Sequence, residues 1–186
     1  MKKKATVKVL LILVILFALL FIFKSGLYIF TSEGSLSQSH RNVLLNAAAS
    51  SLETLDVPVG AILLYNDTLL SIGYNTVIKD SDVAGHAEIN AINNAIRQIG
   101  FSKFSKLDRS HLILVSTFEP CMMCMGAITE YNIRHTFFMK GKGLWHWLKN
   151  DARQLRYELS KKKCSGDVAQ DSLFMLHPKY RIQNTN

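Results

Sequence analysis

The most uniform hydrophobic stretch of the chain lies near its N-terminus, where residues 9–23 carry no polar side chain and Lys8 and Lys24 bound the run. A helix that spans a bilayer needs about 20 apolar residues, and lysines at both ends extend the usable length by reaching the headgroups. A cleaved signal peptide is the competing interpretation, because its apolar core has about 7 to 15 residues. Its only candidate cleavage site, residues 32–34, lies well past that core. The pattern favours an uncleaved transmembrane helix within residues 7–30 over a cleaved signal or a buried helix.

The rest of the chain predicts a short linker and one α/β domain. Residues 31–38 are rich in serine and glycine, so we divide the chain into a membrane segment over residues 1–30, this linker, and a domain over residues 39–186. Stretches with helical spacing alternate with short β-prone runs, which is typical of a three-layer α/β/α domain. The predicted elements are a helix over 39–55, strands over 59–65 and 68–74, a helix over 86–99, a strand over 112–116, a helix over 120–131, a strand over 136–139 and a helix over 145–163.

Chain length limits the number of domains, but the net charge does not identify a class of partner. A chain of 186 residues has room for about one domain of ordinary size. The formal net charge is +8, but five of the 22 Lys and Arg flank the apolar segment, which leaves 17 against 14 Asp and Glu. That small excess favours no class of partner. The basic stretch over residues 134–163 fits a solvated helix face, and it also fits contacts with phosphates or lipid headgroups.

Two short motifs are candidates for chemistry. His86 and Glu88 stand in an H-x-E motif at the start of a predicted helix, and Cys121 and Cys124 stand in a C-x-x-C motif directly after Pro120. Each motif alone is weak evidence. An isolated H-x-E is common by chance, and a C-x-x-C in an α/β chain is also the pattern of a thioredoxin-type redox pair.

Taken together, the two motifs predict a catalytic zinc site. Cys121 and Cys124 at positions i and i+3 of a helix lie on one face, about 5–6 Å apart between Cβ atoms, which suits two thiolates on one metal. With His86 as the third ligand, a fourth position stays open, as in catalytic zinc sites. Both segments would begin helices, whose positive ends lower thiolate pKa values. Glu88 can reach a water in the open position only if its helix points the first turn into the site.

These motifs resemble the H-x-E and P-C-x-x-C signature of the cytidine and deoxycytidylate deaminase superfamily, over about residues 42–139. Further segments look like the branch of that superfamily that holds tRNA adenosine deaminases and guanine deaminases. These segments are V-P-V-G-A at residues 57–61, G-Y-N at residues 73–75, E-P-C at residues 119–121 and G-A at residues 126–127.

The resemblance implies a zinc-dependent hydrolytic deaminase that acts on the exocyclic amine of a nucleobase, nucleoside or nucleotide, with a purine favoured. It implies Zn²⁺ on the three ligands named above, Glu88 as the proton shuttle, and Asn75 and Ala87 as substrate-binding residues. It also implies a mixed five-stranded sheet between helices and, in most members, a homodimer. Guanine or adenosine is the expected substrate, and tRNA is a possible partner.

Alternatives stay open at this point. Residues 139–142 read M-K-G-K in place of the Gly-Ala and acidic turn usual in the tRNA enzymes, and the apolar N-terminal segment is foreign to those enzymes. Residues 88–92 resemble the corresponding helix of deoxycytidylate deaminases, so a pyrimidine deaminase is the alternative within the enzyme class. A membrane-tethered zinc sensor without turnover is the alternative from another class.

The lysines around the apolar segment predict its orientation. Four lysines precede the run and only Lys24 closely follows it, and cytoplasmic flanks are enriched in Lys and Arg. We therefore expect a single-pass protein with its N-terminus in the cytoplasm and its catalytic domain outside. A domain that faces the cytoplasm is the alternative, because zinc enzymes with thiolate ligands are more common inside cells.

Overall fold

The computed structural model describes residues 8–19, 36–142, 153, 156–157 and 159–162. The chain divides into two compact units, residues 1–140 and residues 141–186. Residues 8–19 are helical and belong to the helix that we call α1. The other elements are α2 (Gln38–Ser50), a 3-10 turn (Ser51–Thr54), β1 (Gly60–Tyr65), β2 (Thr68–Tyr74), α3 (Ala87–Ile99), α4 (Phe101–Ser105), a second 3-10 turn (Arg109–His111), β3 (Leu112–Phe118), α5 (Met122–Glu130) and β4 (His135–Lys140).

The four strands form one mixed sheet in the order β2-β1-β3-β4. Asn66 and Asp67, both with positive φ (51° and 59°), join β1 to β2 as an antiparallel hairpin, so the two strands predicted over 59–65 and 68–74 are paired neighbours. β3 is antiparallel to β1 and parallel to β4, so the connection from β3 to β4 carries α5. The mixed sheet is confirmed, and the described residues supply four strands where the resemblance implies five.

Helices pack on both faces of this sheet. Alternate residues of β1 and β3 point to opposite sides, because successive side chains of a strand do so. One side faces α2 and packs Leu44 against Ile62 and Val115. The other side faces α3, and here the fully buried Leu63 and Leu114 lie in one cluster with the alanines of α3. The described residues therefore have the predicted order of helix, sheet, helix.

Two glycines let helices approach the sheet closely. A Cβ on Gly60 would lie 2.5 Å from the backbone nitrogen of Ala48 in α2. A Cβ on Gly73 would lie 2.3 Å from Ala87 O and 2.3 Å from Ala91 N, both in α3. Real Cβ atoms do not come this close to backbone atoms, so any larger residue at Gly73 would push α3 away from β2.

Two predicted helices are shorter in the structure, and one helix was not predicted. The helix predicted over 120–131 spans Met122–Glu130. The predicted helix over 39–55 ends at Ser50 and continues as a 3-10 turn that stops at Leu55, whose φ of 60° is left-handed and breaks the helix. The five-residue α4 was not predicted, because it is too short to show helical periodicity. Of the predicted helix over 145–163, the described residues 153, 156–157 and 159–160 are helical, and the others lie outside the described residues.

The N-terminal segment is described only in part. No helix among the described residues is both long enough and apolar enough to cross a membrane. Most of the predicted linker over 31–38, and residues 20–30 of the predicted anchor, lie outside the described residues. The orientation, the cellular location and the extent of a single domain over residues 39–186 stay predictions.

Candidate metal centre

The structure brings the three predicted metal ligands together. The Sγ atoms of Cys121 and Cys124 lie 3.5 Å apart, and each lies 3.5 Å from Nδ1 of His86. Both cysteines are free thiols. Among the described residues, His86, Cys121 and Cys124 are the cluster of potential ligands that could hold a metal ion.

The size of this triangle fits zinc. With bond lengths of about 2.3 Å to sulfur and about 2.0–2.1 Å to nitrogen, a tetrahedral zinc ion separates two of its ligand atoms by about 3.6–3.8 Å. The three distances of 3.5 Å are within a few tenths of an ångström of those values. Two thiolates and one imidazole are also the ligand types that zinc prefers.

Two helix N-termini hold the ligands in place, as the sequence predicted. His86 is the N-cap residue of α3, and Cys121 is the N-cap residue of α5. The backbone N–H groups at the start of a helix have no acceptor within the helix and carry a partial positive charge. Both helix ends therefore favour an anionic group at this edge of the sheet.

The two thiols have opposite pKa shifts. The hydrogen bond between the two thiols lowers the pKa of Cys121 to about 4, against an opposing effect of burial, and the backbone N–H groups of Cys124 and Met123 help to lower it. The same hydrogen bond, together with burial and the negative charge of Glu88, raises the pKa of Cys124. Cys121 is therefore the thiolate of the pair, and a cation is needed to make both sulfurs anionic at once.

Glu88 lies beside this triangle, because the first turn of α3 points into the site. Its side chain is only 4% exposed. Oε2 of Glu88 lies 3.4 Å from Sγ of Cys124, and Oε1 accepts a hydrogen bond of 3.2 Å from the hydroxyl of Ser116. The requirement that the sequence placed on Glu88, a first turn aimed at the metal site, is met.

Asn75 and His86 stand at the two ends of one loop, which α3 holds through a single side chain. The amide nitrogen of Asn90 donates to Tyr74 O at 2.8 Å and to the hydroxyl of Thr76 at 2.9 Å, and it lies 3.3 Å from Gly85 O. The N–H of Thr76 also donates to Gly85 O at 2.8 Å. The loop is thus closed at its base, where Asn75 precedes and His86 follows.

The outer part of the same loop is held by a carboxylate. Asp56, which is 3% exposed, accepts hydrogen bonds from the N–H of Ile78 at 2.6 Å, the N–H of Lys79 at 3.1 Å and the hydroxyl of Thr54 at 2.8 Å. Burial raises the pKa of Asp56, but these hydrogen bonds outweigh it and hold the pKa below its ordinary value. Asp56 therefore serves as an ionised anchor for the loop.

The two predicted substrate-binding residues, Asn75 and Ala87, differ in the groups that they can present to a ligand. Asn75 is 7% exposed, and its Oδ1 has no hydrogen-bond partner although its backbone N–H donates to Val59 O. A buried amide oxygen without a donor is costly, so this atom is suited to accept a hydrogen bond from a ligand. Ala87 is fully buried in the core cluster, so its side chain cannot touch a ligand. Only its backbone, at the first position of α3, is available for that role.

Sequence reasoning missed three residues that shape the site: Ser116, Asn90 and Asp56. Ser116 and Asp56 lie in no recognisable motif, and Asn90 lies in the segment 88–92 that resembles deoxycytidylate deaminases but was assigned no role there. Ser116 and Glu88 are 28 residues apart, and Asp56 and Ile78 are 22 residues apart. The signal in the sequence was weak for all three residues. A buried polar side chain needs a hydrogen-bond partner, but the sequence does not show which residue that partner is.

The domain therefore combines an α/β sheet that has helices on both faces with a His/Cys/Cys triangle at the sheet edge, and a buried glutamate lies beside the triangle. Residues 35–140 match the family described as the cytidine and deoxycytidylate deaminase zinc-binding region, and the chain belongs to this family. The His/Cys/Cys triad is the zinc-binding triad typical of that family.

Individual relatives cover part of the chain. A tRNA-specific adenosine deaminase of Buchnera aphidicola subsp. Baizongia pistaciae is 41% identical over 95 residues, which cover 50% of this chain and 55% of the relative. Its counterpart from Buchnera aphidicola subsp. Schizaphis graminum is 38% identical over 96 residues, or 52% of this chain and 60% of the relative. The chain thus matches little more than half of the length of these curated relatives.

A solved structure extends the similarity in fold. The X-ray structure of guanine deaminase from Bacillus subtilis matches with a TM-score of 0.61 and covers 80% of this chain and 99% of its own. The sequence identity is 19%, so this similarity shows a shared fold and nothing about the substrate.

Proposed function

We propose that the protein is a zinc-dependent hydrolytic deaminase that removes the exocyclic amine of a nucleobase, and that its substrate is a purine. The observation that carries this proposal is the position of Glu88. Its buried carboxylate lies 3.4 Å from a sulfur of the triangle formed by His86, Cys121 and Cys124. A purely structural zinc site would close with a fourth protein ligand and would have no use for a carboxylate there.

The metal triad, Glu88 and Ser116 have different roles in the proposed reaction. His86, Cys121 and Cys124 would hold a zinc ion, which would supply an activated water as nucleophile because three protein ligands leave one position for it. Glu88 takes a proton from the attacking water and passes it to a ring nitrogen of the base. The hydroxyl now bonded to the ring carbon then gives Glu88 a second proton, which passes to the leaving amine. Ser116 orients the carboxylate through its hydrogen bond to Oε1. Ammonia and the oxo base are the products.

Recognition of the base would rest on a small number of polar groups. The unpartnered Oδ1 of Asn75 accepts a hydrogen bond from an N–H or O–H of the substrate. The backbone N–H of Ala87, at the start of α3, donates one. The relatives named tRNA-specific adenosine deaminases, at 41% and 38% identity, support adenine as the base and tRNA as a possible carrier. The predicted homodimer stays a prediction.

The test is ammonia release by the full-length protein loaded with zinc. The substrates are guanine, adenosine, a tRNA anticodon stem-loop, cytidine and deoxycytidylate. We expect release from a purine substrate. Release from a pyrimidine alone would correct the class of base, and no release from any of them, with one zinc bound, would contradict the enzyme and favour a zinc sensor.

Variants of two glutamates test the role of the buried carboxylate. Glu88→Ala should keep one zinc per chain and lose activity by about 10²–10⁴-fold, the usual contribution of a general acid–base group. Glu53→Ala, which removes an exposed carboxylate, is the matched control and should keep the wild-type rate. A Glu88→Ala protein that deaminates at the wild-type rate would remove the proposed role.

A further inference from the structure

Helix α1 is apolar on every side and exposed on every side. Residues 9–19 contain no polar side chain, and all of them are exposed in the structure. The exposed fractions of the large side chains range from 49% at Ile15 to 64% at Leu10. Because successive residues of a helix turn by about 100°, eleven apolar residues in a row pass around the helix about three times. No face of this part of α1 is suited to water.

The distribution of apolar residues identifies what can cover this helix. A groove on a protein or a second helix covers one face and leaves the others in water, so such helices carry a polar stripe. A helix that lies in the plane of the membrane surface also needs a polar face. A helix that is apolar all round is buried in a large core or inserted in a membrane, and within the described residues α1 is buried by nothing.

The charges beside the helix point to the same partner. Lys8 is the first described residue of α1, and in the sequence Lys2, Lys3 and Lys4 precede it and Lys24 follows the apolar run. There is no acidic residue before Glu33. Clustered lysines next to an apolar helix complement the anionic headgroups of a bilayer.

We propose that α1 inserts into an anionic lipid bilayer and holds the deaminase domain at a membrane. The twelve described residues rise by about 18 Å, which is less than the roughly 30 Å of the hydrocarbon core. The proposal therefore requires these residues to enter the hydrocarbon and does not depend on their crossing it. It is independent of the proposed deaminase activity.

An aspartate scan of full-length protein tests the insertion. Leu10, Leu11, Ile12 and Leu13 point in four directions around the helix, so we would change each of them singly to Asp. Binding to vesicles of phosphatidylcholine and phosphatidylglycerol is measured as the lipid concentration that binds half of the protein. Insertion predicts that each of the four substitutions raises this concentration on the order of 100-fold, because lipid surrounds the helix.

The control is the same change in the folded domain. Leu55 is 85% exposed and has a left-handed φ, a conformation that Asp adopts readily, so Leu55→Asp should bind vesicles as the wild type does. Zinc content reports that every variant is folded. The wild type should also stay on vesicles in 1 M salt and at alkaline pH.

Three outcomes would overturn the proposal. A loss confined to substitutions on one side of the helix would show that a protein surface covers that side. Release of the wild type by salt alone would show that the lysines bind the anionic headgroups while α1 stays outside the hydrocarbon. A mature protein whose intact mass lacks the N-terminal residues would show that the segment is a cleaved signal.

Discussion

At the scale of the single residue, Ser116 holds the carboxylate on which the proposed chemistry depends. Its hydroxyl donates to Oε1 of Glu88 and is fully buried. We expect Ser116→Ala to lower kcat by about 10- to 100-fold, because a hydrogen bond to a charged group contributes about 1.5–3 kcal/mol. KM and zinc content should not change, because this hydroxyl bonds to Glu88, Gly60 O and the N–H of Phe118 and not to a metal ligand or to Asn75.

Ser71 offers a matched control for this prediction. It is also a buried serine in a strand, and its hydroxyl donates to Ala91 O at 2.7 Å, away from Glu88. Ser71→Ala should lower the melting temperature and leave kcat as it is. Equal losses of kcat in the two variants would show that Ser116 acts only through the stability of the fold.

Asp56 makes the fold sensitive to acid. Its pKa in the folded protein is lower than in the unfolded chain, so its carboxylate stabilises the fold above about pH 4, and this stabilisation is lost as the pH falls through the folded pKa. Asp56→Asn should lower the melting temperature at pH 7, with the difference from wild type shrinking toward pH 3. Asp67→Asn, at a side chain that is 84% exposed, is the control and should show little difference at either pH. A constant difference for Asp56→Asn would contradict the ionised anchor.

At the scale of the element, the packing of α3 on β2 sets the position of the metal ligands. An alanine Cβ at Gly73 would lie 2.3 Å from backbone atoms of α3, so Gly73→Ala must displace the helix that begins after His86 and carries Glu88. We expect a loss of about 1–3 kcal/mol in stability, typical of overpacking, together with weaker zinc binding. Thermal melts and metal analysis measure the two effects.

Gly126 in α5 gives the opposite expectation for the same substitution. Among the described residues beyond its own helix backbone, no atom lies within 4 Å of a Cβ at Gly126, and alanine is the better helix former by about 0.5–1 kcal/mol. Gly126→Ala should therefore be neutral or stabilising and keep its zinc. If Gly73→Ala also keeps the stability and zinc content of the wild type, α3 is not fixed by this contact.

The elements also show what the sequence can and cannot predict. α3 was predicted from the helical spacing of its apolar residues, α5 from Pro120 near its start, and β1 and β2 from two short β-prone runs. The order of the strands and the contact between Ser116 and Glu88 were not, because they depend on which distant segments meet. Spacing along the chain encodes local structure, whereas these contacts arise from tertiary packing.

At the scale of the whole molecule, the metal joins two helices that are far apart in sequence. His86 precedes α3 and Cys121 precedes α5, so zinc bound to the folded protein links them. Such binding stabilises the fold by about 4 kcal/mol at free zinc 1,000 times above Kd. A chelator should lower the melting temperature, and added zinc should restore it.

A variant without the two thiols of the metal site checks the source of that effect. The double variant Cys121→Ser with Cys124→Ser should melt at the same temperature with and without chelator. A wild-type protein whose melting temperature does not respond to chelator would contradict a zinc site that forms only in the folded state.

The closed base of the loop between Asn75 and His86 leads us to expect that metal binding and base binding are coupled. The side chain of Asn90 ties Tyr74, Thr76 and Gly85 together, so a ligand that shifts one end of the loop also shifts the other. Part of the shift that the second ligand needs is then already made. By reciprocity, zinc should tighten the affinity for the base by the same factor that the base tightens the affinity for zinc. Asn90→Ala should bring that factor close to one.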